Sequence, residues 1–218
     1  LSLAFLISII TTSKSQSVGV SYFLPEKGYL SIPISPFYYS FPINITNFIG
    51  LTITTSLYSI GGMNLKGLDN ISSSKPLIGP IYSSSASLSP KINIYIGNLK
   101  FSFLYGVFAY YNISQKIYEG NIDRMFLEYE DWSSCTGIYK TDNHPGWGWV
   151  YGTSLTFGLS RNVDIVLGVN YYNGSSDINL KGKYYGAKYN SPVVEKTFDF
   201  PKTKLLFRGY EFSAGIEF

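Results

Sequence analysis

The sequence predicts an all-β fold: a single antiparallel up-and-down barrel of eight strands with its apolar side turned outward. Three observations carry that reading. The stretch Tyr210 to Phe218 alternates strictly, with Tyr210, Phe212, Ala214, Ile216 and Phe218 on one face and Glu211, Ser213, Gly215 and Glu217 on the other. Side chains of a strand alternate with period two, so such a segment has one greasy and one polar face. Seven further segments repeat the pattern, and the connections between segments alternate between short and long.

The first stripe sets Val18, Val20, Tyr22 and Leu24 against Ser17, Gly19 and Ser21. The second, about Ile32 to Ile43, aligns Phe37, Tyr39, Phe41 and Ile43 but is interrupted by Pro33, Pro36 and Pro42, which predicts bulges or a broken strand. The third sets Leu51, Ile53, Thr55 and Leu57 against Gly50, Thr52, Thr54 and Ser56. In the fourth, Leu88, Ile92, Ile94 and Ile96 oppose Ser87, Ser89, Lys91 and Asn93, and in the fifth Phe101, Phe103, Tyr105, Val107 and Ala109 oppose Ser102, Leu104 and Gly106. The sixth places Trp147, Trp149, Tyr151, Leu155, Phe157 and Leu159 opposite Gly148, Gly152, Ser154, Thr156 and Gly158. The seventh places Val163, Ile165, Leu167, Val169 and Tyr171 opposite Asp164, Gly168 and Asn170, and the C-terminal stretch is the eighth.

Composition fits a wall in lipid. Charged residues are 14% of the 218, well below the ~25% of soluble domains. Aromatic residues are 17%, with Tyr 20 and Phe 15, and tyrosine suits a membrane interface because its ring is apolar and its tip polar. Hydrocarbon offers no partner to a free backbone amide, so only helices or closed barrels cross it. No run of ~18 apolar residues follows the start of the chain, which leaves the barrel. Eight strands enclose an interior just wide enough for side chains or one small ligand. The inward residues are rich in Gly, Ser and Thr, which leaves room for a small wet or lipid-sized cavity.

These residues resemble the bacterial outer-membrane β-barrels, whose last strand characteristically ends in an aromatic residue read by the assembly machinery. The resemblance gives Tyr210, Phe212 and Phe218 that role, and makes outer-membrane lipid, lipopolysaccharide and the assembly machinery the expected partners. Barrels of this kind have short periplasmic turns and long external loops. Asn44 to Asn47, Gly97 to Leu99 and Ser160 to Asn162 read as the turns. The stretches 66–81, 114–145 and 183–201 read as the long loops, with Pro25 to Gly28 a small outer link. Leu1 to Ile10, followed by Thr11 to Ser15, resembles the apolar and cleavage regions of a signal peptide, so residues 1–15 are expected as its remnant and 16–218 as the barrel.

Chemistry-bearing residues fall into few groups. Lys91, Asp164, Glu211 and Glu217 point inward in this register and read as lumen charges, an internal network more readily than a proton or ion relay. Outward parity continued above Phe212 and Tyr171 reaches Arg208, Lys204 and Lys202, and Lys181 and Lys183, a candidate contact for lipid A phosphates. Stretch 114–145 holds Asp123, Arg124, Glu128, Glu130, Asp131, Cys135, Asp142 and His144, and is the expected surface for a protein partner.

Glu130-Asp131-Trp132 followed by Asn143-His144-Pro145 resembles a stretch of the omptin surface proteases, ten-stranded barrels that activate water with paired loop aspartates and a later Asp/His pair. Asp131 matches one aspartate of the first pair, but Tyr129 stands at the other, and His144 is the only histidine. Lipid A acyltransferases and deacylases need a His beside a Ser or Asp, and His144-Pro145-Gly146 does not supply that spacing. Cys135 stands alone, so no internal disulfide and no cysteine metal site forms. No P-loop, dinucleotide fingerprint or zinc spacing is present. No cofactor, metal or nucleic acid is therefore expected. Three roles stay open: a non-enzymatic surface or accessory barrel, a narrow channel or binder for a small apolar solute, and an outer-membrane protease or lipid A-modifying enzyme.

Overall fold

The computed structural model describes residues 16–26, 28–29, 35–68, 71, 73–160 and 162–218. The leader expected over 1–15, and Ile32 and Pro33 of the second stripe, lie outside the described residues. Strands β1 (Ser17–Pro25), β2 (Ser35–Asn44), β3 (Ile49–Ile60), β4 (Leu65–Lys66), β5 (Ile78–Ile96) and β6 (Leu99–Ile117) come first. Helix α1 (Glu119–Glu130) follows, then β7 (Ser134–Thr141), β8 (Gly146–Ser160), β9 (Val163–Ala187) and β10 (Val194–Glu217).

Among the described residues, eight strands close a ring in the order β1-β2-β3-β5-β6-β8-β9-β10, each antiparallel to its neighbours, with β10 returning to β1. The seam is paired throughout β1, from Ser17↔Glu217 through Val20↔Ala214 to Pro25↔Gly209. It is extended by reciprocal backbone bonds of 2.9 Å between Gln16 and Phe218. Every alternating stripe read from the sequence turns its apolar members away from the lumen. Val20, Ile53, Ile92, Phe103, Tyr151, Leu167 and Phe212 are exposed, while Ser21, Thr52, Ser89, Ser102 and Glu211 are buried.

Three connections are tight. In the β2–β3 turn the Thr46 hydroxyl accepts from the Phe48 and Ile49 amides at 3.2 and 3.0 Å. In the β5–β6 turn Gly97 takes φ +59, a left-handed conformation that a residue without a Cβ adopts freely. The third tight connection, β8 to β9, spans residues 161–162.

At the opposite end the structure departs from the expected loops. β9 runs for 25 residues and β10 for 24, far more than the ~9–11 that cross a bilayer. Stretch 183–201 is therefore mostly a hairpin, and 114–145 holds the end of β6, α1 and β7. Burial explains the difference. Ile122, Met125 and Phe126 lie on one face of α1 and pack against Tyr139 of β7, Leu180 and Tyr184 of β9, and Phe200 of β10. Leu68 and Leu77, from the stretch expected as loop 66–81, complete this second core. Phe126 stacks on Tyr184 at 4.0 Å between ring centroids. The helix stops where Asp131 takes φ 52, and the Asp131 and Trp132 amides both donate to the Leu127 carbonyl. No described helix is long and apolar enough to cross a membrane.

Closure through the β1–β10 seam predicts that cysteines replacing Val20 and Ala214 form an intrachain disulfide in the folded protein, read as a mobility shift on non-reducing gels. Absence of a cross-link at this and adjacent registers would mean an open or larger ring. Leu167→Arg puts a charge on the lipid face at an expected cost of about 2–4 kcal/mol near the midplane. The inward Ser154→Ala is expected to be mild. Folding yields into lipid vesicles compare the two.

Candidate functional site

The lumen divides into two zones. In the half toward the long extension it is filled by Phe23, Tyr58, Phe108, Tyr110, Tyr172 and Phe207, drawn from five strands, with Ile60, Ile81, Val150 and Leu205 around them. The rings interlock, Phe23–Phe207 and Tyr110–Phe207 at 4.6 Å and Phe108–Tyr172 at 4.8 Å between centroids. Each such pair contributes about 0.5–1.5 kcal/mol beyond its buried area. This plug corrects the expectation of a lipid-sized cavity: in this half the inward glycines Gly146, Gly148 and Gly174 make room for the rings of Phe108, Tyr110 and Phe207 rather than for a solute.

In that second half the polar residues surround a cavity of about 80 Å³ lined by Ser40, Thr54, Lys91, Lys100, Asn170, Glu211 and Glu217 among others. Glu211 is 2% exposed and accepts from the Tyr58 hydroxyl at 2.8 Å, the Asn170 amide at 2.8 Å and the Tyr172 hydroxyl at 3.1 Å. Three neutral donors thus hold a buried carboxylate at the foot of the plug. Glu217 pairs with Lys100 at 2.8 Å. Lys100 was missed in the sequence because it precedes the fifth stripe; continuing the inward parity two residues back from Ser102 reaches it. Lys91 is buried and packs its stem on Gly50, where an added Cβ would lie 2.8 Å from the lysine Cε. Asp164 is half-buried and shares a rung with Glu217 at the open mouth.

Outside the ring, Tyr105 stacks on Trp149 at 5.6 Å, while Tyr151, Tyr171 and Tyr210 touch in series at 5.2 and 4.9 Å. Directly above these rings a groove is lined by Trp147, Trp149, Asn173, Asp177, Lys204 and Arg208. Lys204 lies 3.5 Å from Asp177. Arg208 is exposed and has no ion pair among the described residues. Lys181 and Lys183 do not join this group. They stand four and six residues further along β9 than Asp177, roughly 13–20 Å at ~3.3 Å per residue. There Lys181 faces Lys140 and Asp199 across the ladder, and Lys183 pairs with Glu195 at 2.8 Å. Lys202 is exposed at the register shift between Phe200 and Thr203. Tyr210 and Phe212 face outward from β10, and Phe218 is exposed beyond its end.

The acidic residues of 114–145 are used in packing. Asp123 accepts from the Tyr139 hydroxyl at 2.6 Å, and Asp131 pairs with Lys188 at 3.2 Å. Glu130 accepts from Tyr184 at 2.8 Å and pairs with Lys196, whose ammonium also sits 5.5 Å from the centre of the Trp132 ring. The Cys135 thiol is pushed up to about 11, first by burial and then by the negative charges of Asp123 and Glu130, so it is not a ready thiolate. Asp131 and exposed His144 lie at opposite ends of the eight-residue β7, roughly 25 Å apart at ~3.3 Å per residue. They share no reacting centre. Among the described residues no group of three or more His, Cys, Asp or Glu could hold a metal.

Glu130 is expected to make the extension pH-sensitive. Burial pushes its carboxyl up, but the bonds from Lys196 and Tyr184 outweigh that and hold it below its ordinary value. A depressed acid contributes stability above its unfolded value, about 4.3, and loses it as pH falls through the folded one. Hydrogen-exchange protection of the α1 amides is expected to be full above about pH 5 and to fall below about pH 4. Glu130→Gln should remove that step, and an unchanged profile in this variant would show that another group controls it.

No family model matches the chain, and no curated protein matches it. Among solved structures it is similar to Ail, the attachment invasion locus protein of Yersinia pestis, at 14% identity over 94% of this chain and 97% of that one, with a TM-score of 0.42. It is also similar to a major outer membrane protein from Thermus thermophilus, at 10% identity, covering 94% and 98%, TM-score 0.43. A third is the CymD monoaromatic hydrocarbon channel, at 10% identity over 93% of this chain and 54% of that one, TM-score 0.33. The closed eight-stranded ring, apolar outside, with tight turns at one end and a long extension at the other, has the architecture of a membrane-spanning β-barrel.

Proposed function

We propose that this chain is a non-enzymatic, non-conducting outer-membrane barrel whose ordered extension presents a surface for interaction outside the cell. The observation that carries this reading is the contrast between the two ends of the lumen. Interlocked aromatic rings fill the passage, while the strands beyond them build a second hydrophobic core. That extension leaves Tyr129, Ile138, Tyr189 and Val193 exposed, and apolar side chains on a rigid scaffold suit a protein partner.

Lipopolysaccharide is the second proposed contact, and the groove at Lys204 and Arg208 supports it. A cation just above an aromatic belt sits at the height of lipid A phosphates, each basic residue near a charged surface being worth ~1 kcal/mol. Arg208 is the stronger anchor, because Lys204 already has Asp177 beside it and a guanidinium engages phosphate with two parallel bonds. Asp131 and His144 do not favour the protease reading, and the plug does not favour the channel.

In planar bilayers the protein is expected to give no steady conductance steps, whereas Phe23→Ala combined with Phe207→Ala should admit ions. Steps from the unmodified protein would refute the closed lumen. Arg208→Ala should weaken lipopolysaccharide retention roughly 5-fold, for ~1 kcal/mol, and Lys204→Ala less. Equal retention by the unmodified protein and a variant carrying both Lys204→Ala and Arg208→Ala would remove the lipid A contact.

A further inference from the structure

We propose that the inner half of the lumen binds a small monovalent anion against the Lys91 ammonium. Lys91 hangs from β5 into the polar cavity and is 7% exposed. Its neighbour Lys100 is already paired with Glu217 at 2.8 Å. The other carboxylate lining the cavity, Glu211, is occupied by Tyr58, Asn170 and Tyr172. Lys91 has no ion pair and no hydrogen-bond acceptor among the described residues. A buried ammonium that makes no hydrogen bond is unfavourable even with the carboxylates of Glu211 and Glu217 in the same cavity.

A second unmet donor lies two residues along the same face of β5, beside Ser102 of the cavity wall rather than on the lining itself. Asn93 is 1% exposed, and its Oδ1 accepts from the Ser102 hydroxyl at 2.8 Å, which sets the orientation of the amide. The Asn93 Nδ2 is thereby left without an acceptor. Ammonium and amide NH₂ groups only donate. Two buried donors on one strand face both call for an acceptor. Water can accept, but a small anion accepts more strongly from an ammonium.

Size and field define the anion. The cavity of about 80 Å³ exceeds the ~10–15 Å³ that one water needs on the same measure, so chloride, formate or acetate fits beside the ammonium. Glu217 and the half-buried Asp164 share a rung at the mouth. Their negative charge disfavours phosphate or sulfate and selects a single charge. The aromatic plug seals the other side, so the anion enters from the end that carries the short turns.

The test uses the full chain folded in detergent micelles. Thermal melting is followed at constant ionic strength in sodium chloride, formate, acetate, sulfate or gluconate. Chloride, formate and acetate are expected to raise the midpoint by about 2–4 °C in a saturable way, with sulfate and gluconate without effect. Lys91→Arg should keep the response. Lys91→Met, which retains the apolar stem, should abolish it. Chlorine-35 line broadening by the unmodified protein, reversed by formate, decides the point even if Lys91→Met does not fold. Absence of broadening, or a midpoint indifferent to the anion, overturns the proposal, and a response that survives in Lys91→Met places the anion elsewhere.

Discussion

Everything in this molecule depends on satisfying backbone amides where no water can reach them. In hydrocarbon an unpaired N–H or C=O costs several kcal/mol, so the sheet cannot have an edge at membrane depth. The β1–β10 seam removes that edge, with all nine residues of β1 in register against β10. The chain makes this approach possible with small residues. Gly19 and Gly215 meet across the seam, and Tyr38 lies over both. A Cβ would come within 2.8 Å of the Tyr38 ring at Gly19 and within 2.4 Å of its hydroxyl oxygen at Gly215.

Closing the ring creates an interior, and the interior must then be filled. The two halves solve this differently. Near the extension, bulky rings from five strands pack together and fill the interior. Nearer the short turns, hydroxyls and four charged groups share a narrow polar space, where each carboxylate has donors but Lys91 has no acceptor among the described residues. Glu211 joins the zones: it is polar enough to face the cavity, yet its partners Tyr58 and Tyr172 belong to the plug. A rigid barrel is the foundation for an extension that stands clear of the lipid.

The extension keeps β9 and β10 paired well past the membrane, from Arg208↔Asn173 up to Val194↔Gly186. A two-stranded ribbon in water is marginal on its own. Here β7 adds a third strand beside β9, and α1 covers the inner face with Ile122, Met125 and Phe126. The Glu130–Lys196–Tyr184 cluster fastens the end of α1 to that ribbon. Residues such as Asp131 and Cys135, which look reactive in a list, are held apart or muted by that packing.

The sequence alone determined the wall. Alternation with period two puts Leu167 on the apolar face of its strand and Glu211 on the polar face of its own, because the pleat sends successive side chains to opposite sides. The eight stripes and the three short turns follow from the same local rule. Tertiary structure decided what lies between faces that are far apart in the chain. Phe23, Tyr58 and Phe207 meet only because the ring closes, so the plug was not legible from any one stripe. Helix α1 offers a single short apolar stripe among acids, and it becomes a helix because β9 and β10 extend to receive it. The basic residues of β9 and β10 share an outward parity in the sequence. The length of the extension separates Lys181 and Lys183 from Arg208, and only the folded register sets that distance.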